Sequence, residues 1–290
     1  MQQYQVRILA EAAKAQVLAD RLEADFGDEG PVSWYEHDGA WAVDGFFFAE
    51  SAAEIEGRVR TALGEELVGL DLVVEAVPDD VDWVALSLEG LKPVIAGRFV
   101  VYGAHDKDNI PGGLIGLQIE ANQAFGTGHH PTTWGCLTAL TRLMERWRFD
   151  APFDLGSGSG VLAIAIAKKS RRPVLASDID PLAVTIAREN AEINQVGHLV
   201  TAVTAVGFEH AAIRGRVFDL IVANILAGPL KQLSPDFRRH SRPGTTVVLS
   251  GILASQAASV LAAFRAQGFV RENVYVKEGW STLVLRFAGR

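Results

Sequence analysis

Three glycines and three polar side chains carry the chemistry that can be read from this chain. Asp154-Leu155-Gly156-Ser157-Gly158-Ser159-Gly160 follows a short apolar strand from Pro152 to Leu155 and precedes the apolar run Val161 to Ala167. Glycines at alternate positions allow a sharp turn that a Cβ would forbid, and they let the backbone come within contact distance of a ligand. The unpaired N–H groups of the helix that begins there add partial positive charge. This is the geometry of a nucleotide-like cofactor site. The dinucleotide pattern is G-x-G-x-x-G; here the third glycine comes one residue early, and Val161 stands where that pattern wants Gly or Ala. Asp154, placed just before the turn, suits a ligand carrying an ammonium group better than a pyrophosphate. Asp178 lies 22 residues after Gly156, at the end of a second apolar strand over Pro173 to Ser177. A carboxylate in that place can accept hydrogen bonds from both ribose hydroxyls. Asn224 ends a later strand, where it either turns the strand into a loop or offers its amide oxygen to a ligand.

These residues need a sheet to hold them. From Pro152 onward strands and helices alternate, with further strands at Leu199 to Val203, Phe218 to Ala223, Thr245 to Leu249, Val270 to Val276 and Leu283 to Phe287. A helix is expected over Ala254 to Gln267. Asp180-Pro181 starts another, with Asp180 as N-cap and Leu182, Ile186 and Ile193 as its buried stripe. The pattern predicts an α/β doubly wound sheet, with Gly156, Asp178 and Asn224 at carboxyl ends of strands, where ligands bind.

The first quarter reads differently. Tyr4 to Leu9 alternates like a strand, and Glu11 to Phe26 has helical periodicity. Val32 to Tyr35 and Trp41 to Phe48 read as a hairpin around Asp38-Gly39. Ser51 and Glu54 form a capping box for a helix to about Glu66, and Leu70 to Glu75 is a strand. The order β-α-β-β-α-β predicts a small ferredoxin-like α+β domain. Trp34, Trp41 and Phe46 to Phe48 supply its core or a protein-binding face. The expected division is residues 1–76 for this domain, 77–97 for a linker and 98–290 for the larger domain.

Hydrophobic residues make up 49% of the 290, enough for a globular core, and no apolar run approaches a membrane span. The start carries no signal-peptide pattern. A single cysteine, Cys136, rules out an intramolecular disulfide framework and a Cys-rich metal site. A cytoplasmic enzyme, most simply a monomer, fits these features. The net charge of −8 is uneven: residues 1–75 hold 5 Lys and Arg against 16 Asp and Glu. Phosphates would be repelled by that segment, so a basic protein suits it better than nucleic acid.

Ala124-Phe125-Gly126-Thr127-Gly128-His129-His130-Pro131-Thr132-Thr133 forms a loop and a helix start before the glycine turn. Adjacent histidines point apart on most backbones, and no ligand set at metal spacing surrounds His129 and His130, so no metal is expected.

The Asp154 to Gly160 pattern resembles motif I of the class I S-adenosylmethionine methyltransferases. With the Ala124 to Thr133 stretch, Asp178-Ile179-Asp180-Pro181, Val222-Ala223-Asn224-Ile225-Leu226-Ala227-Gly228-Pro229-Leu230 and Leu249-Ser250-Gly251-Ile252-Leu253, the chain resembles the ribosomal protein L11 methyltransferase (PrmA) family. The resemblance implies a Rossmann-like methyltransferase sheet preceded by a substrate-recognition domain. It implies S-adenosylmethionine as cofactor, S-adenosylhomocysteine as product, and trimethylation of lysine side chains and the α-amino group of ribosomal protein L11. Carried over by position, Thr133, Gly156, Asp178 and Asn224 bind the cofactor, and Asn224 also meets the target amine. Asp154, Gly158, Gly160 and the loop residues Phe125, Gly126 and Thr127 complete the expected cofactor set. Many members have Thr where His129 stands. The Pro-Pro of the N-P-P-Y pattern is absent after Asn224, which speaks against methylation of a nucleic-acid base.

A sulfonium methyl is already activated, so alignment of amine, methyl and sulfur does most of the work. Desolvation lowers the amine's pKa, and water can carry the proton away. Methylation of a small molecule, cofactor binding without catalysis and nicotinamide chemistry are the competing readings.

Overall fold

The computed structural model describes residues 2–26, 32–37, 40–77, 93–119 and 130–289. The chain divides into two compact units, Met1–Asp82 and Trp83–Arg290.

In the first unit β1 (Gln2–Ala10), α1 (Ala12–Phe26), β2 (Val32–His37), β3 (Ala40–Ala49), α2 (Ala52–Leu63) and β4 (Leu72–Ala76) follow in order. They form one antiparallel sheet in the order β2-β3-β1-β4. Period-2 alternation turns Val6, Ile8, Val43 and Phe47 inward onto Leu18, Leu22, Ile55 and Val59 of the helices. The aromatic residues divide between core and surface. Phe47 is fully buried, whereas Trp34 and Phe48 are 39% and 48% exposed. On the outward face Asp44 is buried by its own donors. It accepts from Arg7 Nε at 2.8 Å and Nη2 at 2.7 Å, and from the Tyr35 hydroxyl at 2.7 Å. Ser51 caps α2 as expected, but Glu54 reaches back to the Glu50 N–H instead of that of Ser51. The helix stops at Leu63, short of Glu66, because Gly64 takes a positive φ and a 3₁₀ turn follows. The Asp38-Gly39 turn lies outside the described residues.

The second unit holds β5 (Val94–Ala96), β6 (Phe99–Tyr102) and β7 (Ile115–Gln118) as a small sheet, followed by α3 (Pro131–Arg146). Then come β8 (Pro152–Leu155), α4 (Val161–Ser170), β9 (Val174–Asp178), α5 (Pro181–Ile193), β10 (Val200–Thr204) and β11 (Phe218–Asn224). They are followed by α6 (Ala227–Arg239), β12 (Ser241–Leu253), α7 (Ala257–Ala266), β13 (Phe269–Lys277) and β14 (Trp280–Phe287). The seven-stranded sheet runs β10-β9-β8-β11-β12-β14-β13. Its first five strands are parallel, and β14 joins β12 and β13 antiparallel. One face is covered by α3, α4 and α5 and the other by α6 and α7, which is why these strands are apolar on both sides. Strand order reverses between β8 and β11, so the chain ends after Leu155 and Asn224 lie side by side.

The expected stripe of α5 differs. Ile186 is buried, but Leu182 and Ile193 are 49% and 41% exposed. The buried face is made by Ala183, Val184, Ala187, Asn190 and Ala191. Small residues are needed there because α5 packs tightly on the start of α4. A Cβ on Gly160 would stand 2.9 Å from that of Ala187.

β12 bends at Gly251, where φ is +79° and the register with β14 shifts between Leu249 and Ile252. The Gly251 Cα lies against the backbone of Ile225, whose carbonyl carbon would be 2.7 Å from an added Cβ. Ser250 donates to the Thr132 carbonyl at 3.2 Å, and its oxygen is 2.7 Å from that of Thr282. The start of α3 is thereby tied to β12 and β14. Gly251→Ala combines a disfavoured φ with a backbone clash, so it should destabilise the unit by about 2–3 kcal/mol. Chemical denaturation of the two proteins measures this directly, and an equal midpoint would mean that the Ile225 loop moves freely aside.

Candidate active site

The glycine turn is built on hydrogen bonds to the neighbouring strand. Gly156 and Ser157 N–H groups donate to the Ser177 carbonyl at 2.8 and 2.9 Å. Gly156, Gly158 and Gly160 have φ of +72°, +51° and +80°. A Cβ on Gly156 would strike the Ile225 methyl. Asp178 is oriented by two backbone donors, accepting from Gly158 N–H at 2.8 Å and Asp180 N–H at 3.1 Å. Asp180 itself caps α5 through Leu182 N–H at 2.8 Å.

A cleft of about 560 Å³ opens over this turn and is lined by Gly156, Gly158, Asp178, Ile179, Val206 and Asn224, among others. Ile179 and Val206 are 67% and 65% exposed, and such large apolar side chains beside a polar cradle suit a flat aromatic ligand. A second cavity of about 300 Å³ is lined by His130, Thr132, Asn224, Ile225, Leu226, Gly251 and Trp280. Asn224 borders both. Its Oδ1 is buried and has no hydrogen-bond partner among the described residues. A buried acceptor left idle by the protein is a place for a ligand's donor.

Four expected site residues are brought to the cleft: Gly156, Gly158, Asp178 and Asn224. Three others stand elsewhere. Asp154 does not line it; the side chain is fully buried below the turn, where Oδ2 accepts from Ala163 N–H at 2.9 Å. Oδ2 thereby supports the α4 start, while Oδ1 is buried with no hydrogen-bond partner among the described residues. Burial pushes its carboxyl up to about 7, opposed by the Ala163 N–H and reinforced by the charge of Asp178. Gly160 packs on Ala187 and does not line the cleft. Thr133 is fully buried, and its Oγ1 has no partner among the described residues. Phe125, Gly126, Thr127 and His129 lie outside the described residues. Ile179, Val206, Thr132 and Trp280 were not singled out from sequence. Ile179 and Thr132 stand inside the stretches that carry the family resemblance, which is their sequence signal; Val206 and Trp280 carry none.

The fit to S-adenosylmethionine can be judged on these atoms. The oriented Asp178 carboxylate suits a ribose, the exposed apolar side chains suit an adenine, and the glycine turn leaves room for the backbone to approach. Among the described residues no group of three or more His, Cys, Asp and Glu side chains is placed to hold a metal. Among them, too, no helix is long and apolar enough to cross a membrane.

The parallel sheet reversed beside a glycine turn is the architecture of the class I S-adenosylmethionine methyltransferases. The family model described as Ribosomal protein L11 methyltransferase (PrmA) matches residues 15–288, and the chain belongs to that family. A Ribosomal protein L11 methyltransferase from Brucella melitensis biotype 2 is 45% identical over 291 residues, covering 99% of this chain and all of the relative. One from Rhodopseudomonas palustris (strain BisB5) is 46% identical over 283 residues, covering 96% of this chain and 95% of that one. The crystal structure of ribosomal protein L11 methylase from Lactobacillus delbrueckii subsp. bulgaricus superposes with a TM-score of 0.62 at 27% identity. It covers 68% of this chain and 100% of that one.

Proposed function

We propose that the chain transfers methyl groups from S-adenosylmethionine to ribosomal protein L11, trimethylating lysine side chains and the N-terminal α-amine. The observation that carries this reading is Asn224, which borders both the larger cleft and the smaller cavity and whose buried Oδ1 has no hydrogen-bond partner among the described residues. The cofactor supplies an activated methyl on its sulfonium. Asp178, held by two N–H groups, accepts the ribose hydroxyls, and Ile179 and Val206 wall the adenine. Asn224 accepts an N–H of the incoming amine and directs its lone pair toward the larger cleft. Ile225, Leu226 and Trp280 exclude water around that amine. On this reading Phe125, Gly126, Thr127 and the buried Thr133 complete the cofactor-binding set.

Residues 1–76 act as a ferredoxin-like recognition domain and 98–290 as the methyltransferase domain, joined by a 77–97 stretch whose end, β5, already pairs with β6. The sheet order β2-β3-β1-β4 with two helices supports the first assignment. The excess of acidic residues in that domain supports a basic protein as partner rather than nucleic acid. The enzyme works as a monomer in the cytoplasm. Intact-mass spectrometry of purified L11, incubated with this protein and S-adenosylmethionine, tests the reading. Stepwise methyl increments are expected. An unmodified L11 beside an enzyme that binds S-adenosylhomocysteine would redirect the search to another acceptor.

A further inference from the structure

The smaller cavity contains one side chain able to take up a proton near neutral pH among its described lining, His130. Its Nδ1 accepts the Thr132 backbone N–H at 3.3 Å and lies 2.7 Å from Thr132 Oγ1. A nitrogen that accepts the backbone N–H is the unprotonated one, so the hydroxyl donates along the shorter contact. Thr132 lines the cavity, and its hydroxyl proton points at the imidazole. Trp280 packs edge-on against that ring at 4.7 Å between centroids and fixes its orientation.

We propose that Thr132 and His130 form the proton exit of the acceptor pocket, an inference that rests on methyl transfer to an amine as described above. An N–H bond of the incoming ammonium breaks and its proton passes to Thr132 Oγ1. The Thr132 hydroxyl proton moves at the same time to His130 Nδ1. The electrons of the broken bond remain on nitrogen as the lone pair that attacks the methyl group. The products of this step are a neutral amine, an unchanged hydroxyl and an imidazolium, which returns its proton to water. Burial lowers the His130 pKa, opposed by Glu278, so the ring is uncharged and ready to accept. A cation at a helix N-terminus is disfavoured, which hastens release of the proton. Among the described residues Glu278, on the β13–β14 turn, is the charged group felt at His130. Thr132 on α3, Asn224 at the end of β11, Gly251 on β12 and Trp280 on β14 do not titrate in this range.

His130→Asn separates this role from helix capping, because an amide oxygen still caps α3 but cannot take the proton. The variant should bind S-adenosylhomocysteine and melt like the wild type. Its kcat on L11 near pH 7 should fall on the order of 100-fold. The deficit should shrink as pH rises toward the amine's own pKa of about 10. Thr132→Val should show the same pH-dependent loss, and Thr132→Ser, which keeps the hydroxyl, should recover the shape of the wild-type profile. If His130→Asn folds poorly, the Thr132 pair decides alone. A wild-type profile in His130→Asn, or a loss independent of pH, overturns the proposal. Failure of the parent reading is distinct, since the wild type itself would then add no mass to L11 at any pH.

Discussion

Replacing Asn224 with alanine should lower kcat for L11 methylation on the order of 100-fold while weakening S-adenosylhomocysteine binding only about fivefold. The two effects separate because of where the side chain stands. Loss of one neutral hydrogen bond to a ligand is worth about 1 kcal/mol, which is the small change in cofactor affinity. The larger change comes from the amine. Without an acceptor its lone pair is free to point away from the methyl group, and a misplacement of roughly 1 Å at a reacting atom can reduce rates by about 100-fold. Asn224→Asp is the sharper companion. The carboxylate keeps the acceptor but stabilises the amine as its ammonium ion, raising the pKa that must be overcome. Its defect should therefore ease with rising pH, whereas that of Asn224→Ala should not. Equal losses in kcat and in cofactor affinity for Asn224→Ala would remove the amine from this residue's role and leave it as a cofactor ligand.

What could be read from the sequence follows the backbone. The glycine turn demands positive φ at fixed positions, so Gly156 and Gly158 announce themselves, and the α/β alternation puts Asp178 and Asn224 at strand ends. Side-chain direction was harder. Asp154 sits next to the turn in sequence, yet alternation along β8 sends its carboxylate under the turn instead of into the cleft. Gly160 belongs to the glycine pattern but serves the contact with Ala187. Leu182 and Ile193 have helical spacing, and the small residues beside them are buried instead, because α4 approaches too closely for a leucine. The smaller cavity was out of reach for another reason. Thr132, Asn224, Gly251 and Trp280 come from four separate elements, and only the β12–β14 pairing with the Ser250 and Thr282 hydroxyls brings them to one place.

Asp154→Asn should make the protein more stable than the wild type above neutrality and about equal to it in acid. In the unfolded chain an aspartate ionises near its ordinary pKa of 3.8, whereas in the fold burial holds this one up to about 7. Between those values the unfolded chain gives up its proton and the folded one retains it. The group's favourable contribution is thus complete below pH 3.8, declines as pH rises, and is gone above about 7. A displacement of about three pKa units corresponds to roughly 4 kcal/mol. Asparagine has the same shape, its amide oxygen can keep the Ala163 N–H, and it has no charge to desolvate. The difference in unfolding free energy between the two proteins should therefore grow by roughly 4 kcal/mol from pH 4 to pH 8, with most of the change below pH 7. Urea unfolding at a series of pH values measures it, and the subtraction removes the titrations that the two proteins share. Parallel stability curves would mean that Asp154 ionises at its ordinary pKa beneath the turn. The carboxylate's grip on the start of α4 would then be that of a full charge on a helix N-terminus rather than of a neutral acid.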